Sequence, residues 1–108
     1  MSEDIGRMDT NRILFEAIAL RKCVRATYNR VVMTLAPHIL YTRHDELHVD
    51  AVTLDRDGMP PRELKLGTFK LTGLKDVALT ERNFDPMPQY APGDAKYEGA
   101  TVFAVELT

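Results

Sequence analysis

At 108 residues with 44% hydrophobic side chains, the chain can enclose one ordinary core and hardly a second, so a single domain is expected. A formal net charge of −2 excludes the bulk basicity of a protein that coats nucleic acid non-specifically and leaves room only for a local basic patch. Cys23 is the single cysteine and cannot close an internal disulfide, which fits a reducing, cytoplasmic setting; no apolar run approaches the roughly 20 residues of a membrane span.

Residues 1 to 9 carry Glu3, Asp4 and Asp9 with little apolar surface and read as a flexible leader, too acidic for a signal peptide. The domain is expected over residues 10 to 108. Asp9 or Thr10 is the expected N-cap of a helix over residues 10 to 22, along which Ile13, Leu14, Ala17, Ile18 and Leu20 recur at spacings of three and four. Arg21 and Lys22 would close it, at the negative end of the helix dipole.

At Cys23 the pattern changes to alternation. Val24, Ala26 and Tyr28 point one way and Cys23, Arg25 and Thr27 the other, as in a half-buried strand. A tight turn at Asn29-Arg30 leads into Val31-Val32-Met33, and Pro37, which has no amide hydrogen, marks an edge, bulge or bend. Residues 35 to 41 and 47 to 52 are apolar runs of strand length flanking the polar Thr42-Arg43-His44-Asp45-Glu46, which predicts a hairpin at the centre of the sheet. If Thr42 faces Leu47, then Tyr41 faces His48, and His38 points to the opposite face.

Residues 55 to 61, with Asp57-Gly58 before two prolines, form a surface loop. Residues 62 to 71 alternate again, and a bulge at Gly67-Thr68 would let both Leu66 and Phe69 face inward. Residues 72 to 77 read as a turn or short helical element. The proline-rich residues 84 to 93 read as an extended strap fixed at Phe84 and Tyr90, and residues 100 to 107 have strand composition. The sum is an α+β, mainly β domain with one N-terminal helix and five or six antiparallel strands. Its expected core holds Ile13, Ala17, Ile18, Leu40, Val49, Leu66 and Phe69.

Enzyme signatures are missing: the sequence has no glycine-rich phosphate loop, cysteine pair, His-Glu-x-x-His or Gly-x-Ser-x-Gly elbow, so no catalysis and no cofactor are expected. His38, His44 and His48 with Asp45 and Asp50 have metal-ligand chemistry, but alternation divides them between faces and no metal is expected; a small metal-dependent enzyme is the weakest alternative. Charge is distributed unevenly. Arg12, Arg21, Lys22, Arg25 and Arg30 face only Glu16 over residues 12 to 30, Arg62, Lys65, Lys70 and Lys75 face only Glu63 over residues 62 to 75, and the last third is acidic. Arg25, Arg62, Lys65 and Lys70 beside Tyr28, Tyr41 and His48 would make a basic groove with stacking rings, suited to an anionic ligand such as a nucleotide or single-stranded nucleic acid.

The order of a helix with Ala17-Ile18, a strand ending in Tyr28, a strand containing Pro37, a hairpin, and a strand with Phe69-Lys70-Leu71 resembles the WYL domain over roughly residues 12 to 86. The family's naming Trp-Tyr-Leu run corresponds to Leu47-His48-Val49, and Gly67, Gly73 and His48 stand where the family has strand arginines and its tyrosine. The resemblance implies a small SH3-like or Sm-like β-barrel. It also implies a sensory or regulatory role of the kind such domains have in bacterial transcription regulators, here in a stand-alone domain. The alternative is a structural module that binds a protein partner or forms a homodimer through a barrel edge or the proline strap.

Overall fold

The computed structural model describes residues 3 to 107, with side chains from residue 9 onward. Helix α1 spans Glu3–Leu20, followed by β1 (Lys22–Tyr28), β2 (Val31–Arg43), β3 (Glu46–Arg56), β4 (Leu66–Lys70), a 3₁₀ turn at Leu71–Gly73, β5 (Lys75–Asn83), a second 3₁₀ turn at Ala95–Tyr97, and β6 (Thr101–Ala104). The fold is α+β, mainly β. All pairings are antiparallel in the order β4-β3-β2-β1-β5, and β6 joins β2 beside β1.

The helix starts earlier than its apolar spacing suggests. Its first turns take in residues 3 to 9, the stretch read as a leader, so Asp9 and Thr10 lie inside it and neither is the N-cap. Asp9 pairs instead with Arg12 at 3.0 Å along the exposed face. The helix also ends earlier, at Leu20: Arg21 adopts φ 54° and donates its N–H to Ile18 O, and Lys22 already belongs to β1. A left-handed residue after the last turn is a common way to stop a helix. Leu14, Ala17 and Ile18 are fully buried against the sheet, while Ile13 is half-buried.

Two tight turns set the register of the hairpins. Asn29 and Arg30 both have positive φ, as do His44 and Asp45, the conformation that matches the twist of two-residue hairpins. The second turn fixes Thr42 opposite Leu47 and Tyr41 opposite His48, as the alternation predicts. β2 is broken in its middle. It pairs with β1 over residues 31 to 35 and with β6 over residues 39 to 41, and at the break Pro37 has no N–H to offer while His38 O accepts from Val105 N at 2.8 Å.

A bulge lies at this break, and none at Gly67-Thr68. Pro37 faces Ala51 and Ile39 faces Asp50, leaving His38 as the extra residue, whereas β4 pairs with β3 regularly from Val52–Leu66 to His48–Lys70. Leu66 and Phe69 therefore point to opposite faces, and Leu66 is only half-buried. Both faces are covered because the sheet has two lids: α1 on one, and the C-terminal strap with Phe84, Tyr90 and Tyr97 on the other.

The sheet is strongly curled. The Tyr28 and Phe69 rings, on β1 and β4, meet edge to face at 5.1 Å, although three strand spacings in a flat sheet would hold those strands about 14 Å apart. The four residues from Leu71 to Leu74 join the two edge strands, a link short enough to draw the edges together. Closure is incomplete: among the described residues β4 and β5 share no pairing, so the expected closed barrel is not formed. No helix among the described residues is long and apolar enough to cross a membrane.

Candidate functional site

The residues expected to make a basic groove do not assemble as one. Arg25 is exposed on β1, opposite in parity to Tyr28, so the two side chains leave the strand on different faces. Tyr28 packs on Phe69 and on the backbone at Gly73, where an added Cβ would meet its ring at 2.8 Å. Arg62 and Lys65 are exposed before β4, with Lys65 loosely paired to Glu63 at 3.9 Å. Lys70 and His48 are cross-strand neighbours, but the Lys70 ammonium is engaged by Glu46 at 2.8 Å. Tyr41 is only 2% exposed, so its ring offers no open face for a base.

Tyr41 belongs instead to a buried polar knot that the sequence reading missed. Its hydroxyl donates to Asp50 Oδ1 at 2.6 Å, the Thr68 hydroxyl donates to the same oxygen at 2.7 Å, and the Tyr97 hydroxyl donates to Oδ2. The Lys96 ammonium closes the set, 2.7 Å from Oδ2, with Asp50 1% exposed and the Lys96 side chain 46% exposed. Burial acts to raise the Asp50 carboxyl, but Lys96 and the three hydroxyls outweigh it and hold the group below the ordinary carboxylate range. Burial, and then the Asp50 hydrogen bond, push Tyr41 up to about 12 and raise Tyr97 as well. The one signal for this knot in the sequence is an acid placed on an inward position within the apolar run 47 to 52.

His38 anchors the strap a few residues away. Its Nε2 accepts from Met87 N at 3.0 Å while Nδ1 lies 2.8 Å from Ala36 O, which defines a neutral ring protonated at Nδ1. Burial lowers its pKa more than the Ala36 carbonyl and the Asp50 charge raise it. The bulge also undoes the expected separation of faces: a relay of ring contacts links His38 to Tyr90 at 5.2 Å, Tyr90 to Tyr97 at 6.2 Å and Tyr97 to Tyr41 at 5.0 Å. Among the described residues no three His, Cys, Asp or Glu side chains converge as a metal set. Cys23 is fully buried, and burial raises its thiol pKa.

An open cleft of about 730 Å³ lies between α1, the β2–β3 turn and the 3₁₀ turn after β4. Leu71 and Leu74, both buried, contribute apolar lining, and Asn11, Thr72, Asp45 and Asp76 are among its polar lining residues. A smaller hollow of about 210 Å³ lies beside His38, Leu64 and Met87. No family model matches the chain, and neither a curated protein nor a solved structure matches it.

Proposed function

We propose that the chain is a non-enzymatic, WYL-like regulatory module that binds a small ligand in the cleft beside α1. The observation that carries this reading is the cleft itself, whose 730 Å³ falls within the roughly 300–1,000 Å³ of typical small-molecule sites and which is lined by both apolar and polar residues. The strand order, the curl that brings Phe69 onto Tyr28 and the 3₁₀ turn between the edge strands support an incomplete SH3-like or Sm-like barrel as the finer description of the fold.

The lining charges change the expected ligand. Asp45, Glu46 and Asp76 line the cleft together with Lys75, so a phosphate there would meet carboxylates, and a neutral, nucleoside-sized ligand fits better than a nucleotide. The test is an amide NMR titration with adenosine and with adenosine monophosphate at low salt. Adenosine is expected to shift Asn11, Leu47, Thr72 and Asp76, and the monophosphate to bind more weakly. Shifts centred on Arg25, Lys65 and Lys70, strongest with the phosphate, would restore the basic groove; no shift with either probe at millimolar concentration would count against this site.

A further inference from the structure

We propose that the Asp50 knot is a binding site for a primary alkylammonium group, filled in this structure by the chain's own Lys96 as a displaceable occupant. The inference is carried by β2, β3, β4 and the strap, and does not rest on the cleft. Three components of the site come from adjacent strands. Tyr41 on β2, Asp50 on β3 and Thr68 on β4 are placed by strand register, with Thr68 directly across from Asp50, so the sheet sets this carboxylate and two of its hydroxyl partners without the strap. A carboxylate buried to this degree needs a cation, because leaving it unpaired in a low-dielectric pocket is costly.

The cation that meets this need comes from outside the sheet. Lys96 sits in a 3₁₀ turn of three residues and reaches Asp50 with a half-exposed stem, so its side chain is not locked by packing along its length. Its ammonium lies 5.0 Å from the Tyr97 ring centroid and 5.9 Å from that of Tyr41, within the range of cation–π attraction. A carboxylate plus aromatic rings around one ammonium is the chemistry by which a site recognises an amine ligand. The knot has a solvent side, since Thr68 and Lys96 are both exposed residues. Nor is the space beneath the strap fully satisfied: the Tyr90 hydroxyl is buried with no hydrogen-bond partner among the described residues, in ring contact with Tyr97.

The ligand class is a primary ammonium on an unbranched carbon chain, borne by a free small amine or by the lysine side chain of a peptide. Lys96→Ala should empty the site while leaving its strand-borne walls in place. The probes are n-butylammonium chloride and Nα-acetyl-lysine methylamide, with sodium chloride at equal ionic strength and n-butanol as controls. For Lys96→Ala we expect a lowered melting temperature that butylammonium raises by several degrees in a saturable manner, while the controls do not. Wild-type protein should need at least tenfold more amine for the same response, because Lys96 competes. If Lys96→Ala is unfolded on its own, the same titration reads as amine-dependent refolding. Response to the lysine derivative as well would identify a lysine side chain as an acceptable ligand, and response to butylammonium alone would restrict the site to small amines. Absence of any response beyond the salt control, or an equal response in wild-type protein, would overturn the proposal.

Discussion

Replacing Asp50 by Asn keeps the shape of the side chain at the centre of the buried knot and removes its charge. Asp50 accepts hydrogen bonds from Tyr41, Thr68 and Tyr97, and pairs with Lys96. In Asp50→Asn one carbonyl oxygen still accepts from Tyr41 and Thr68, but the amide nitrogen in place of Oδ2 cannot accept from Tyr97 or Lys96. The Lys96 side chain is half-exposed and can turn to water, so its part of the loss is small. The larger part is the drop from charged to neutral acceptor, about 1 kcal/mol for each of the two hydroxyl bonds that Asn still accepts, together with about 1–2 kcal/mol for the Tyr97 bond it cannot accept, which gives about 3–4 kcal/mol in all. For a domain of this size that lowers the melting temperature by roughly 10–20 °C. Urea unfolding at neutral pH, followed by circular dichroism, should show a lower midpoint at unchanged slope. Combined with Tyr97→Phe, the two changes should be clearly less than additive, because both remove the same bond. A loss under about 1 kcal/mol, or full additivity, would refute the view that this carboxylate holds the strap to the sheet.

Acid should weaken the protein through His38. Its folded pKa is lowered, so both states are neutral above the ordinary value of about 6.5, and below it the unfolded chain takes up a proton that the folded one resists. Stability should therefore fall as pH drops below about 6.5, with a shallower fall in His38→Gln; equal slopes in urea titrations of the two proteins would contradict this. Asp50 adds a separate loss at lower pH: its contribution is complete above about 3.9 and disappears as pH falls through its depressed folded value. In alkaline titration followed by near-ultraviolet absorbance, Tyr41, Tyr90 and Tyr97 should ionise later than ordinary tyrosines, Tyr41 at about 12, and a single early transition for all would show the hydroxyls to be accessible. Gly73→Ala should destabilise by about 1–3 kcal/mol because its Cβ would lie 2.8 Å from the Tyr28 ring, whereas at Gly67 the nearest atom is 3.7 Å away and alanine should be tolerated. Equal melting temperatures for these two variants would refute the role given to Gly73.

The parts of the fold governed by local pattern were legible in the sequence. Two polar turns and a period of two were enough to predict the Tyr41–His48 register, and Pro37 marked the place where β2 changes partners. The start of α1 was not legible, because its first turns carry few apolar residues and give no periodic signal. The candidate site was harder still. Asp50 meets Lys96 and Tyr97 only because a strap without periodicity returns across the sheet, and sequence spacing gives no hint of such an encounter. Counting basic residues suggested a groove, but alternation sends Arg25 and Tyr28 to opposite faces, and the Asp50 knot draws Tyr41 inward. At Gly73 the Tyr28 ring occupies the space a side chain would need.

The central claim, that the cleft beside α1 holds a small ligand, is tested most directly by what the protein carries when isolated under native conditions. Wild-type chain and Thr72→Trp, which puts a large ring at an exposed position lining the cleft, would be purified side by side, denatured, and their released small molecules compared by mass spectrometry. The account predicts a compound released from the wild-type protein in near-stoichiometric amount and strongly depleted in the variant. The same compounds at the same level from both proteins, or none from either, would contradict it.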